Sequence, residues 1–228
     1  MSREAKKNTE ELKQLAKDNG ADLFGVADLK EIREISTHPP DLLSGYRYGI
    51  TIAVSLDRFG SYETATEDQF AFPLLRRISG IIVNHIIKKD HRALAIDPDK
   101  ILGENIEMRN LSEISHKAIS RAAGIGWIGK SALLITPEYG PRVNITSVFT
   151  DMPLIPGMPI DCQCKSCMKC ILACPVQALI DSSFKDYPRK IDQVLLVNQC
   201  KEWKDEQVGL TCWDCVLACP KGRSSGPK

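Results

Sequence analysis

Nine cysteines fall between Cys162 and Cys219, while Met1 to Asp161 contains none. Within this cluster Cys164, Cys167, Cys170 and Cys174, followed by Pro175, spell C-x2-C-x2-C-x3-C-P. A thiolate is a soft anionic ligand, and this spacing suits an iron–sulfur cubane: three thiolates two residues apart wrap one face of it on a tight loop, and the fourth begins a helix that points to a second cluster. Cys212, Cys215 and Cys219 with Pro220 repeat the C-x2-C-x3-C-P half, and Cys200, twelve residues upstream, can supply the missing ligand. The spacing predicts crossed pairing. One [4Fe-4S] cluster takes Cys164, Cys167, Cys170 and Cys219; the other takes Cys200, Cys212, Cys215 and Cys174. A pair of four-cysteine zinc sites competes, because these also use C-x2-C pairs, but zinc does not call for the C-x3-C-P ending twice. Cys162, with one residue between it and Cys164, reads as a spare thiol. Two clusters held close by crossed ligands form an electron relay, which implies a terminal acceptor elsewhere in the chain.

A disulfide scaffold is disfavoured: such scaffolds are short, lack a large cysteine-free core and normally follow a signal peptide. Lys and Arg total 30 against 29 Asp and Glu in 228 residues, so no global field attracts nucleic acid or an anionic membrane. The opening MSREAKKNTEELKQL is polar and helical in pattern, and no apolar run approaches the length of a membrane span. A soluble, cytoplasmic protein is expected.

The elements that must position these groups divide the chain at the crowd of Pro153, Pro156, Gly157 and Pro159. Residues 1–156 form the expected core domain and 157–228 a cysteine-rich module whose tail, from Gly222 to Lys228, is basic and small. The expected class is α+β. Asn8 with Glu11 reads as an N-cap for a helix over 9–19 closed by Gly20, and Leu23 to Ala27 as a short strand. Tyr48 to Leu56 alternates strictly, predicting a half-buried strand with Gly49, Thr51, Ala53 and Ser55 on the open face. Leu74, Leu75, Ile78, Ile81, Ile82 and Ile86 predict an amphipathic helix over about 67–89, with Pro73 limiting its upstream regularity. Ser112 to Ala123 predicts a helix ended by Gly124. Ala132 to Ile135 and Val143 to Thr150, separated by Pro137, Gly140 and Pro141, read as a hairpin.

Gly124, Gly126, Trp127, Gly129, Lys130 and Ser131 match both the dinucleotide and the phosphate-loop patterns. Each motif needs a strand before and a helix after. Here a helix precedes, and Pro137 interrupts the segment after the motif, so the matches read as accidental. The glycines can still form a turn that approaches a large planar or anionic ligand, or simply join helix to strand. His38, His85, His91 and His116 read as surface or satisfied residues, with His116, nearest the glycine turn, kept as a candidate.

From Ser115 through Lys130, then Leu133 to Ile135, Gly140 to Arg142 and Ser147 to Asp151, the chain resembles the epoxyqueuosine reductase family, and the two ferredoxin motifs continue the match over about 110–220. The resemblance implies a nitroreductase-like mixed α/β domain that binds cobalamin, followed by a bacterial-ferredoxin-like two-cluster module, as also in respiratory reductive dehalogenases. By the same likeness Gly124 to Ser131 and the strand around Ser147 line the corrinoid pocket, and the relay ends at a cobalt reduced to a strong nucleophile. The family's catalytic aspartate has its nearest counterpart in Asn110, which cannot act as a general acid, so the catalytic residue stays unassigned. The chain stops nine residues after Cys219, without the helical repeats with which many such enzymes grip transfer RNA; a nucleic-acid substrate is not expected. The leading expectation is a cobalamin-dependent iron–sulfur reductase, fed by a donor such as a ferredoxin or flavodoxin and acting on a small molecule or corrinoid partner. A carrier or activator that reduces a separate corrinoid protein, and a flavin mononucleotide enzyme on the same fold, are the alternatives.

Overall fold

The computed structural model describes residues 2–32, 37, 39–59, 67–98, 115–181, 194–206 and 212–222. His38, Asn110 and the first residues of the expected 112–123 helix lie outside them. The elements run α1 (Arg3–Asp18), β1 (Leu23–Asp28), β2 (Tyr48–Ser55), α2 (Glu67–Ile87), β3 (Ala93–Ile96), α3 (His116–Ala122), β4 (Trp127–Ile128), β5 (Leu134–Ile135), β6 (Val143–Thr150), α4 (Lys169–Leu172), α5 (Val197–Glu206) and α6 (Asp214–Leu217). Short 3-10 turns follow β1 at Leu29–Ile32 and β2 at Leu56–Phe59.

By contacts the chain forms two compact units: Met1–Ser55, Glu67–Ile125 and Asn144–Pro159, and Leu56–Thr66, Gly126–Val143 and Ile160–Lys228. A single cut near 156 does not describe them. The proline-rich stretch stays with the first unit, where the Gly157 amide donates to the Val26 carbonyl at 2.8 Å. Gly126–Val143 joins the cysteines instead.

The first unit holds a four-stranded sheet in the order β1-β2-β6-β3. β1 and β2 pair antiparallel from Leu23 opposite Ala53 to Asp28 opposite Tyr48, and β3 pairs antiparallel with β6 from Ala93 opposite Thr150 to Ile96 opposite Ser147. β2 is an interior strand, so its expected open face is closed: Thr51 and Ala53 are fully buried. Small residues stand there because α3 lies against them. The Thr51 and Ser120 hydroxyls meet at 2.6 Å, and a Cβ on Gly49 would lie 3.1 Å from Ile119. The buried pair is satisfied internally, as a polar group away from water must be.

Helix α1 starts six residues before the expected 9, because Ser2 rather than Asn8 caps it, accepting from the Ala5 amide at 3.1 Å. Asn8 instead lies inside the helix and donates to the Pro153 carbonyl at 3.2 Å. Gly20, with φ +103, ends the helix as its position suggested. In α2, Leu75, Ile78, Ile82 and Ile86 are fully buried at helical spacing, each contributing about 1.5–3 kcal/mol. Pro73, the seventh residue of this helix, lies inside it; without an N–H it leaves the carbonyl one turn back without its usual helical donor. Phe70–Ile87 is long and apolar enough to cross a membrane by length and composition, contrary to the sequence expectation. Its buried stripe packs on β2, β3 and α1 while Arg76 and Arg77 face outward, which is the pattern of a core helix.

In the second unit β4 and β5 form a two-stranded sheet, with Trp127 opposite Ile135 and Ile128 opposite Leu134. The expected hairpin between 132–135 and 143–150 is therefore not made. A left-handed Ala132 (φ +59) folds β5 back on β4, and a second tight turn between Thr136 and Gly140 (φ +60) releases the chain towards β6.

Candidate metal centre

The two C-x2-C-x3-C-P stretches fold into the same local frame. α4 and α6 are single turns that begin after Met168 (φ −118, ψ 7) and Trp213 (φ −112, ψ 3) and close at Ala173 (φ −82, ψ −11) and Ala218 (φ −71, ψ −18). Cys167 and Cys212 precede the caps, Cys170 and Cys215 occupy the second helical position, and Cys174 and Cys219 follow the closing residue. The Cys174 amide donates to the Ile171 carbonyl and the Cys219 amide to the Val216 carbonyl, both at 3.2 Å. Pro175 and Pro220, lacking an N–H, stop each turn there. The two turns pack on each other.

All nine cysteines are half-buried and none is in a disulfide. Burial pushes the Cys170 thiol up to about 11, and the neighbouring Cys164, Cys219 and Cys167 thiolates push the same way. Cys219 is raised by burial and by Cys164 and Cys167, and lowered by Arg142. Cys219 thus shares a neighbourhood with cysteines about fifty residues earlier, whose thiolates disfavour the anions of Cys170 and Cys219. A cationic metal group relieves that crowding, because coordination requires the thiolate. The donor set fits a cluster.

Cys162 is raised by burial and by the adjacent Cys164, with which it shares a hydrogen bond. The Ala178 amide donates to Cys174 Sγ at 3.3 Å, and Cys212 Sγ lies 3.5 Å from Asp214 Oδ2. Cys200 sits in α5. Among the described residues no three His, Cys, Asp or Glu side chains gather closely enough to hold a single metal ion. Cys164, Cys167, Cys170 and Cys219 lie near enough to influence one another without forming a tight tetrahedron.

The turn that carries Cys219 is anchored by Arg142, almost wholly buried. Its guanidinium donates to Asp57 Oδ1 at 3.0 Å, to the Lys221 carbonyl at 3.3 Å and to the Gly222 carbonyl at 2.6 Å. In the sequence Arg142 stands out only as the end of the family-like Gly140 to Arg142 stretch; its burial and its distant partners mark it as an anchor.

The glycine segment does not present open backbone. A Cβ on Gly124 (φ +75) would stand 2.3 Å from the Met158 carbonyl oxygen, one on Gly126 2.3 Å from that of Ile135, and one on Gly129 2.7 Å from Ile135 and 3.4 Å from Cys164 Sγ. Close packing of the protein on itself requires these glycines. α3 precedes the segment, β4 lies within it and β5 follows, so the phosphate-loop order fails structurally as well.

Trp127, Lys130 and Ser131 are buried. Lys130 Nζ donates to Asp181 Oδ1 at 2.8 Å and approaches Met168 Sδ at 3.5 Å. The Trp127 indole Nε1 finds no hydrogen-bond partner among the described residues, while Lys221 Nζ lies 5.8 Å from its ring centre. In the first unit His116 and Ser147 are brought together. His116 Nε2 lies 3.3 Å from the Asp97 carbonyl, which only accepts, so in the neutral ring Nδ1 accepts from Ser147 Oγ at 2.9 Å. Ser147 is fully buried in that bond. His85 and His91 lie beside Glu11 and Asp151, each at 3.3 Å.

No family model matches the chain. It is 37% identical over 130 residues to epoxyqueuosine reductase of Bacillus anthracis, covering 52% of this chain and 33% of the relative. It is 35% identical over 114 residues to the tetrachloroethene reductive dehalogenase of Sulfurospirillum multivorans, covering 45% and 23%. The chain thus spans about a third or less of the length of these curated relatives. A solved reductive dehalogenase, described for B12-dependent dehalogenation, matches with TM-score 0.76 at 21% identity over 98% of this chain and 33% of that one. An epoxyqueuosine reductase solved with a modified tRNA stem loop matches with TM-score 0.66 at 23% identity over 93% and 64%. At such identities the structures establish a shared mixed α/β fold, and the sequence matches supply kinship. The chain is thus similar in sequence, over about half its length, to epoxyqueuosine reductases and a reductive dehalogenase, and shares their mixed α/β fold.

Proposed function

We propose that this chain is an iron–sulfur, cobalamin-dependent reductase of the cytoplasm, where glutathione and thioredoxin keep thiols reduced. The cysteine-bearing unit carries its ferredoxin-like module, with one [4Fe-4S] cluster on Cys164, Cys167, Cys170 and Cys219 and the other on Cys200, Cys212, Cys215 and Cys174. The observation that supports this reading most is the duplicated turn, which delivers Cys219 to the neighbourhood of Cys164, Cys167 and Cys170. A ferredoxin or flavodoxin is the proposed donor. A bound corrinoid would supply a cobalt able to act as a strong nucleophile in a two-electron reduction.

The chain's own residues bear on that cofactor unequally. Gly124, Gly126 and Gly129 are filled by protein and serve as packing, and Ser147 is engaged by His116. Trp127 supports it: a buried indole N–H without an acceptor costs about 1–3 kcal/mol, and a polar cofactor atom would remove that cost. Lys130 and Ser131 would then back the wall rather than touch the ligand.

Titration of anaerobically purified protein with cobalamin is expected to show tight binding of one equivalent. Trp127→Phe, if folded by circular dichroism, should weaken it about tenfold, the worth of one hydrogen bond. Uptake of flavin mononucleotide instead would replace the cobalamin reading with a flavin enzyme, and uptake of neither would leave an electron carrier or activator. The expectation against nucleic acid loses force beside a solved relative bound to a tRNA stem loop. Transfer RNA therefore belongs among the substrates tried, with small molecules and corrinoid proteins.

A further inference from the structure

Lys130 is a charged residue of the glycine segment that the proposed function keeps away from the ligand. It stands where a phosphate-binding lysine would in the motif, yet its side chain is buried and already committed. The ammonium donates to Asp181 at 2.8 Å and approaches the sulfur of Met168, the residue following Cys167, at 3.5 Å. Its chain neighbour Gly129 is the position at which a Cβ would stand 3.4 Å from Cys164 Sγ. Both contacts put the charge beside the loop Cys164–Cys170. Asp181, Cys164 and Cys167 all stabilise the protonated amine, against the opposing effect of burial. Arg142 is another cation facing this set of thiols, and it is engaged by Asp57 and the carbonyls of Lys221 and Gly222.

We infer that Lys130 is a positioning residue that sets the reduction potential of the cluster on Cys164, Cys167, Cys170 and Cys219, its buried ammonium favouring the reduced form and Asp181 both holding and partly offsetting that charge. The inference rests on the two-cluster reading. Reduction of [4Fe-4S]2+ to [4Fe-4S]1+ takes one electron from a one-electron carrier, with no bond broken and no proton required. The added negative charge is stabilised by a fixed cation in a half-buried site, where screening by water is weak. Asp181 is 53% exposed, so its carboxylate is better solvated than the ammonium and offsets only part of the field.

The test is a redox titration followed by electron paramagnetic resonance on anaerobic wild type, Lys130→Gln, Lys130→Arg and Asp181→Asn, with dithionite as reductant. The signal of interest is the one that disappears in Cys219→Ser. Lys130→Gln should lower the ratio of reduced to oxidised cluster at the wild-type midpoint about tenfold, which is 59 mV for a one-electron couple, and leave the second cluster unchanged. Lys130→Arg should stay near wild type. Asp181→Asn should shift the same cluster in the opposite direction. A merely structural ion pair would make Lys130→Gln and Asp181→Asn act alike. Shifts of the same sign, or no shift with both clusters intact, overturn the inference and spare the two-cluster reading; a wild type without clusters overturns both. If Lys130→Gln fails to hold iron, the signs and sizes of the Lys130→Arg and Asp181→Asn shifts decide.

Discussion

Cys219→Ser is expected to remove the cluster whose other three ligands lie about fifty residues earlier, and to leave the second cluster intact. Iron should fall from about eight to about four per chain. By position in the sequence the opposite result is natural, because Cys212 and Cys215 are Cys219's near neighbours. The structure argues for the remote group: burial and the Cys164 and Cys167 thiolates together raise Cys219, and Cys219 in turn raises Cys170. The thiol leaves α6 immediately after its closing residue, and Arg142 fixes the following turn through the carbonyls of Lys221 and Gly222. Loss confined to the cluster of Cys200, Cys212 and Cys215 in Cys219→Ser would contradict crossed pairing.

Gly124→Ala and Gly126→Ala should each destabilise the fold by about 2–4 kcal/mol, combining overpacking with, at Gly124, the cost of a side chain in the left-handed region. For a chain of this size that lowers Tm by roughly 5–15 °C. The physical cause is an unyielding neighbour: at both positions the new methyl would meet a backbone carbonyl 2.3 Å away. The loss should be the same with or without added cobalamin. If these glycines instead exposed backbone to a ligand, the variants would keep wild-type stability and lose only cofactor affinity, and differential scanning calorimetry with and without cobalamin separates the two results.

The helices and strands were legible where one periodic pattern met one environment. The stripe Leu75, Ile78, Ile82 and Ile86 announced α2, Gly20 and Gly124 marked the ends of α1 and α3, and the alternation from Tyr48 gave β2. What failed depended on contacts distant in sequence. Burial of Thr51 comes from Ser120 in α3, so alternation alone suggested an open face. The hairpin expected between 132–135 and 143–150 gave way to a β4–β5 pair because Ala132 adopts φ +59, a conformation its residue type does not advertise. Gly126–Val143 joins the cysteine-bearing unit through packing against Cys164 and Lys221, which no linear boundary near 156 could express. In the candidate site, cysteine spacing was informative because a short turn constrains it. The roles of Lys130 and Arg142 were not, since both depend on partners about fifty to eighty-five residues away: Asp181 for one, Asp57 and Gly222 for the other. For the glycines a ligand-approaching turn and a plain helix-to-strand link both stand open in the sequence, which cannot tell space left for a ligand from space filled by the chain itself.

Iron and acid-labile sulfide, counted per chain after strictly anaerobic expression with ample iron and zinc measured in the same sample, test the proposal most directly. About eight irons and eight sulfides, with negligible zinc, are predicted. A colourless, folded protein holding two zinc ions per chain and no iron would contradict it.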